Sequence, residues 1–382
     1  MNWSNSMTTL HLCIATGQNA ANLIPLKQLQ AQEVWILETP PMKAQRSGAD
    51  LKQALGPYVP TVRCLAFDDS TPQSICTAAA KLANDSLDGR DVVFHITGGT
   101  KLMVLAIHQE LTLLNSGTGS YRTLYADTQK QTIDWMDAKP TQEPMKDVLT
   151  LQDLLLLRGY RTANDTRPAK DQQLAAARTT VSRHMGEQAH SLRGFFSTLA
   201  YNASLASDGN CMTQQFDYPP GGPAAKLLTL AVKNNLLKWT AGYCEVTFAN
   251  RDSARFFAGG WTEEYVFLKM TGFLKPGQYA LNAKVIQNRT KTENEIDAIA
   301  VKSNRALLVE CKSGKQVKAQ EAIYKLGQVV HQVGGLMAKG LYVSAQQVNE
   351  SDRNRAKEYG IDILAGEELQ NVNQYLRDWA KS

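Results

Sequence analysis

The stretch Thr292–Gly314, TENEIDAIAVKSNRALLVECKSG, decides how this 382-residue chain is read. Residues 295–301 and 306–312 are rich in Ile, Val, Leu and Ala, and both are predicted as short strands. KSNR between them is a polar turn. With Ser303 and Asn304 at its centre, Asp297 falls opposite Glu310, and Glu295 opposite Lys312. Side chains two apart on a strand share a face. Glu295, Asp297, Glu310 and Lys312 are therefore expected on one face. Ile296, Ala298, Val309 and Cys311 are expected on the other, in the core.

Carboxylates at cross-strand distance repel unless positive charge lies between them. A divalent cation meets that need, and hard oxygen ligands in a partly hydrated site suit Mg²⁺ or Mn²⁺. Lys312 on the same face could orient a water or stabilise developing negative charge. A lone Glu-x-Lys would be read as a salt-bridged surface hairpin. Here an acidic residue upstream lands in register with it, and both strands are otherwise apolar, which favours the metal site.

Asp297 followed by Glu310-Cys311-Lys312 resembles the PD-(D/E)xK nuclease superfamily. The upstream helix of that superfamily, which carries a further Glu, is matched by Gly259–Val266, GGWTEEYV. Either Glu263 or Glu264 would supply the acid; Glu263 is preferred, since one helix side can present it while Val266 and Phe267 pack inward. Ile296 stands where the superfamily usually has proline. The resemblance implies a metal-dependent endonuclease with Glu263, Asp297, Glu310 and Lys312 as catalytic residues. It places the Mg²⁺ or Mn²⁺ on Asp297 and Glu310, aided by Glu263 and the backbone carbonyl of Cys311.

Hydrophobic residues at 43% and charged ones at 20% describe an ordinary soluble protein long enough for two or three domains. No apolar run reaches membrane length, and the first residues lack a basic-then-apolar signal, so no membrane role is expected. The six cysteines form no CxxC pair and are read as buried thiols of a cytoplasmic protein. The net charge of +5 is uneven. Residues 1–140 carry 11 Lys+Arg against 12 Asp+Glu, which leaves 30 against 24 for residues 141–382. The basic surplus travels with the nuclease-like half, in mild support of a polyanionic substrate, DNA and/or RNA.

Residues 1–140 alternate strand and helix. Strands are predicted at Thr9–Ala15, Glu33–Glu38, Thr61–Phe67, Asp91–Ile96, Tyr121–Ala126 and Thr132–Met136, with helices near 20–30, 43–55, 72–87 and 101–115. This is the pattern of a Rossmann-like, doubly wound sheet. Ligands sit at the carboxyl ends of such strands. Those ends carry Thr16-Gly17-Gln18-Asn19 and Thr97-Gly98-Gly99-Thr100-Lys101. The second loop, at a helix N-terminus and followed by a lysine, favours an anion, most plausibly phosphate. It is neither a Walker loop nor GxGxxG, and alone it serves equally well as a helix cap.

A polar loop after strand one and GGTK after strand four resemble a CARF domain, a CRISPR-associated sensor of cyclic oligoadenylates. CARF first and PD-(D/E)xK last resembles the ancillary nucleases of CRISPR antiviral defence that are activated by cyclic tetra-adenylate. The resemblance implies that Thr16, Gln18, Asn19, Thr97, Gly98, Gly99, Thr100 and Lys101 line the activator site. It also implies a homodimer with one ring bound across its two-fold axis.

The domains are thus expected at 1–140 (CARF-like sensor), 141–258 (a mostly helical, winged-helix-like connector) and 259–382 (α/β nuclease core). In the connector a long helix is predicted over 171–200, with Arg178, Arg183, His184 and Arg193 on a basic face read as solvated, the alternative being a face that lies near nucleic acid. A loop-like run follows over Asn202–Gly222. A helix over Ala224–Lys238 comes next, then a strand pair of Tyr243–Ala249 with Arg255–Ala258. In the nuclease core a helix over Lys315–Val333 offers Lys325 and Gln328 as substrate contacts, with Lys318 close to the same face. Tyr324 there either stacks on a base or packs in the core. Two alternatives compete: a restriction- or repair-type nuclease governed by another nucleotide, and a nucleotide-responsive DNA-binding regulator with an inactive nuclease fold.

Overall fold

The computed structural model describes residues 9–87, 89–114, 120–137, 139–163, 167–209, 211–313 and 319–381. It separates into two units, Met1–Arg161 with Gln287–Thr292 and Gly335–Met337, and Thr162–Ile286 with Glu293–Gly334 and Ala338–Ser382.

The strands of the first unit are β1 (Leu10–Ile14), β2 (Glu33–Glu38), β3 (Thr61–Ala66), β4 (Val92–His95), β5 (Tyr121–Asp127), β6 (Thr132–Trp135) and β7 (Thr141–Pro144). They form one sheet in the order β3-β2-β1-β4-β5-β6-β7. The first five in that order run parallel; β6 and β7 are antiparallel. The uninterrupted apolar run of β1 is buried throughout, as expected of a strand covered on both faces. Leu12, Ile14, Leu37 and Phe94 form a core with Met103 and Ile107 of the helix Lys101–Leu114. The strand order reverses direction between β1 and β4, so the loops after these two strands lie at the topological switch point. The six predicted strands are present within a residue or two. The predicted helix 43–55 is two helices, Pro40–Ala44 and Ser47–Leu55, because Arg46 between them has φ 63°.

Three predictions for residues 162–260 are corrected. The single long helix is three, Arg167–Ala177, Thr179–Glu187 and Ala189–Asp208. The last continues well into the expected loop at 202. The expected strand at Arg255–Ala258 is absent, because Asn250 caps a helix over Arg251–Arg255 by accepting from the Ser253 N–H, and a π-helical turn, Phe256–Gly260, follows. After β8 (Tyr160–Thr162), the strands here are β9 (Thr213–Gln215), β10 (Leu237–Trp239) and β11 (Glu245–Phe248), an antiparallel sheet in the order β10-β11-β9.

The remaining strands are β12 (Tyr279–Gln287), β13 (Glu293–Lys302), β14 (Arg305–Lys312), β15 (Ala338–Ser344) and β16 (Ile361–Ala365), in a sheet ordered β16-β15-β14-β13-β12-β8. β12 to β14 run antiparallel, and β14 to β16 parallel. Ser303 (φ 50°) and Asn304 (φ 57°) are the two central residues of the β13–β14 turn. Two successive positive φ values make the type I′ hairpin turn. They set the register expected from sequence, with Lys302 opposite Arg305 and Ala298 opposite Val309. One core cluster holds Ala298, Val309, Cys311, Trp261 and Tyr265 together with Met185, Phe196 and the C-terminal residues Leu376 and Trp379. The last two belong to a closing helix, Val372–Lys381, that sequence analysis did not anticipate.

Among the described residues no helix is long and apolar enough to cross a membrane. All six cysteines are free; Cys13 and Cys311 are buried, but Cys76 and Cys211 are exposed, so the buried-thiol expectation holds only in part.

Candidate active site and ligand cavity

The hairpin register delivers Asp297, Glu310 and Lys312 to one place. Lys312 Nζ lies 2.6 Å from Glu310 Oε1 and 3.7 Å from Asp297 Oδ2. It also donates to the Cys311 carbonyl at 3.0 Å. The Cys311 N–H donates to Asp297 Oδ2 at 2.7 Å, so the carboxylate is tied to the backbone of the neighbouring strand. Burial opposes the Lys312 charge, but Asp297 and Glu310 outweigh it and hold the ammonium above its ordinary value. Burial and the Glu310 charge push Asp297 up to about 6, against Lys312, the Cys311 N–H and the more distant Lys325.

Glu295 does not join this group. It is exposed and pairs across the sheet with Lys284 of β12. The further acid comes from the helix Trp261–Met270. Burial pushes Glu263 up to about 8, reinforced by the Asp297 charge, opposed by Lys312, and added to by Glu264 and Glu310. Glu264 has a different partner: its Oε1 pairs with Arg178 Nη1 at 2.9 Å, and its Oε2 accepts from Ser182 Oγ at 3.3 Å. Arg178, expected on a solvated face, is therefore buried.

The start of this helix is held against the hairpin. Ser313 Oγ, one residue past Lys312, donates to the Ala258 carbonyl at 3.3 Å. A Cβ on Gly259 would lie 2.8 Å from that Oγ, so a larger residue there would turn the hydroxyl away from the Ala258 carbonyl. Gln346 Nε2 in turn donates to the Ser313 carbonyl at 3.2 Å. Ser313, Gln346, Arg178 and Ser182 were not singled out from sequence. Their spacing from the hairpin carries no local pattern that would have flagged them.

Among the described residues no three His, Cys, Asp or Glu side chains are gathered as a metal-binding group. The oxygen donors that do converge are Asp297, Glu310 and the Cys311 carbonyl. This is a hard, partly buried, all-oxygen set, and it fits a divalent cation that completes its shell with water. Lys325 and Gln328 are exposed on the helix Ala319–Val329. Tyr324 is 51% exposed and meets Tyr359 edge-on, so it is not a core residue. Lys318 lies outside the described residues.

In the first unit, a cavity of about 300 Å³ opens at the switch point. Thr16, Gln18, Thr97 and Gly98 line it, with Tyr125, Asp127 and Gln129 from the end of β5 and beyond. The residues after β5 were missed, although the polar run Asp127–Lys130 follows a strand adjacent to β4 and so falls under the rule used for the other loops. Thr97 Oγ1 accepts from the Ala126 N–H at 2.7 Å, joining the β4 and β5 ends. Gly98 and Gly99 pack over β1: a Cβ on Gly98 would be 2.4 Å from the Ile14 carbonyl oxygen, and Gly99 has φ +84°. Thr100 Oγ1 accepts from the Met103 N–H at 3.3 Å, capping the helix Lys101–Leu114, and Lys101 is exposed; Gly99, Thr100 and Lys101, expected in the site, lie beside the cavity and do not line it. Asn19 does not line the cavity. It is buried, accepts from the Thr16 N–H at 3.0 Å and donates to the Ser47 carbonyl at 2.8 Å, which makes it the brace of the first loop.

Two family descriptions match the chain, the Card1 CARF domain over residues 10–154 and the Card1-like endonuclease domain over residues 250–382. The chain is a CARF-domain endonuclease of the Card1 type. Solved structures share its fold. Protein VC1899 from Vibrio cholerae matches at 20% identity with a TM-score of 0.82, over 98% of each chain. Can2 from Sulfobacillus thermosulfidooxidans, solved in complex with cyclic tetra-adenylate, matches at 19% identity and a TM-score of 0.76. That match covers 98% of this chain and all (100%) of the other. A type III CRISPR defence DNA nuclease activated by cyclic oligoadenylate matches at 17% identity and a TM-score of 0.52, over 96% of this chain and 51% of that one. Comparison with curated protein sequences returned no match.

Proposed function

We propose that this CARF endonuclease cuts nucleic-acid phosphodiesters on Asp297, Glu310 and Lys312, assisted by Glu263, when a cyclic oligoadenylate occupies the cavity of the first unit. The observation that carries the proposal is the meeting of two carboxylates and an ammonium at 2.6 and 3.7 Å on a hairpin whose register leaves no other face for them. A Mg²⁺ or Mn²⁺ ion held by Asp297, Glu310 and the Cys311 carbonyl would supply an acidified water and offset charge on the leaving oxygen. Lys312 orients the attacking water and stabilises negative charge as it develops on the phosphate. The Cys311 N–H keeps Asp297 from turning away. Glu263 closes the acidic group from the helix side.

The activator reading is supported by the chemistry of the cavity. Thr97 and Gly98 line it, and Gly99, Thr100 and Lys101 follow them into the positive end of a 14-residue helix, a setting for phosphate beside the cavity. Thr16 and Gln18 line the same cavity, Asn19 holds their loop, and the 40% exposed ring of Tyr125 is placed to stack on a base. The neighbour Can2 carries cyclic tetra-adenylate, which makes that ring the first activator to test. A homodimer fits the same unit. Leu102, Leu105 and Leu113 stand on one face of the helix Lys101–Leu114, each more than half exposed, and a second copy would cover them. We assign residues 1–140 to sensing, 141–258 to connection and 259–382 to cleavage, in the cytoplasm. The activator must bind the cutting arrangement better than the resting one for any switching to follow.

Cleavage of labelled DNA and RNA in Mn²⁺ or Mg²⁺, with and without cyclic tetra-adenylate, tests this directly. Cutting only with activator is expected. Constitutive cutting would point to another regulator, and no cutting on either substrate would sink the enzyme reading.

A further inference from the structure

The helix Trp261–Met270 carries Glu263 to the candidate active site, yet little in its backbone fixes its rotation. It is preceded by the π-helical turn Phe256–Gly260, in which Gly259 leaves helical geometry, so it does not inherit a register from the helix before it. It is also buried almost all round, with Trp261, Tyr265 and Met270 in one core cluster and Phe267 and Leu268 in another. With apolar side chains on every side, the sequence pattern alone prescribes no rotation for this helix, so its contacts must set it.

Polar anchors at named atoms add direction to that packing. Ser313 holds the Ala258 carbonyl on the hairpin side. On the other side, Glu264 is gripped by Arg178 at 2.9 Å and Ser182 at 3.3 Å. Both members of the ion pair are under a tenth exposed, at 5% and 7%. The guanidinium also lies over the Phe256 ring at 5.1 Å, within the π turn itself. Neighbouring residues on a helix point about 100° apart, so pinning Glu264 fixes where Glu263 aims.

We infer that Arg178, with Ser182, is a positioning residue: by holding Glu264 it aims Glu263 at the group formed by Asp297, Glu310 and Lys312. The inference rests on the role given to Glu263 under the proposed function. Arg178 touches neither substrate nor the reacting atoms, and acts through helix rotation. A catalytic carboxyl must be held within about half an ångström of its working position, by packing and by hydrogen-bonded supports together, and the Arg178–Glu264–Ser182 group supplies the second of these.

The test compares Arg178→Met, Arg178→Lys and the double variant Arg178→Met/Glu264→Leu in the full-length, activator-bound protein. Replacing both members of a buried pair by apolar groups is often neutral for stability, so the double variant separates aim from folding. Expected in the Met and double variants is a fall in kcat of about 10–100-fold, the usual cost of losing an orienting partner, with substrate KM and activator half-saturation unchanged. Mn²⁺ binding followed by calorimetry should weaken about tenfold even without substrate. Arg178→Lys should fall between. A double variant that melts with the parent, binds Mn²⁺ as tightly and cuts as fast overturns the inference. Glu263→Gln is run alongside: a parental rate there overturns the Glu263 assignment and this inference with it, whereas an inactive Glu263→Gln beside a fully active double variant overturns this inference alone.

Discussion

Glu263→Gln should stabilise the metal-free protein at alkaline pH while abolishing its activity. The folded structure holds the Glu263 carboxyl near 8, against an ordinary value of 4.5. A group whose pKa is raised on folding contributes stability below its ordinary value and loses that contribution as pH rises through the folded value. At 1.36 kcal/mol per tenfold change, the full difference is on the order of 5 kcal/mol between pH 4.5 and 8. Glu263 keeps part of its surface in water, and screening there reduces the figure to ~2–3 kcal/mol. Glutamine carries no such dependence. The gap in melting temperature between variant and parent should therefore widen by roughly 5–10 °C from pH 5 to pH 8 in chelator. Differential scanning calorimetry at both pH values reads it, and comparing the two cancels any packing effect of the amide. Saturating Mn²⁺ should reverse the order at pH 8, since the parent then gains more from binding than the variant does. A gap that stays constant between pH 5 and 8, or narrows, would refute the argument that burial, reinforced by the Asp297 charge, holds Glu263 protonated.

Lys312→Ala removes the ammonium that both carboxylates share, and cleavage should fall at least 10³-fold while activator binding, measured by calorimetry, stays within twofold of the parent. Gly98→Ala places a methyl 2.4 Å from the Ile14 carbonyl oxygen, so the β4 loop must move; expected are ~1–3 kcal/mol of lost stability in the first unit and at least tenfold weaker activator binding. Leu105→Glu puts a charge in the middle of the exposed leucine face and should shift sedimentation from dimer to monomer without lowering the melting temperature of the isolated copy by more than a few degrees.

The central hairpin was legible because its signal is local. Period-two apolar patterning fixed the faces of β13 and β14, and SN at the turn fixed the register, so Asp297, Glu310 and Lys312 could be brought together on paper. The Rossmann-like sheet was readable from the alternation of short strand and helix patterns, led by the buried run of β1; β7, Thr141–Pro144, carries no apolar signal and was missed. Choosing Glu263 over Glu264 was only a preference, because two adjacent acids on a helix that is apolar on both sides carry no sequence mark of which faces where.

What the amino-acid order determined by itself is therefore whatever depends on neighbours along the chain: strand faces, the turn centred on Ser303 and Asn304 with its register, and the glycine loop at the end of β4. Tertiary structure alone decided what depends on partners far away in sequence. Arg178 reads as one more basic residue on an exposed helix until it is seen against Glu264, 86 residues on. Asn19 reads as a ligand residue until it is seen bracing its own loop against Ser47. A buried charge requires a counter-charge, and a buried amide requires hydrogen-bond partners, but those requirements name no address in the sequence; only the folded chain supplies one.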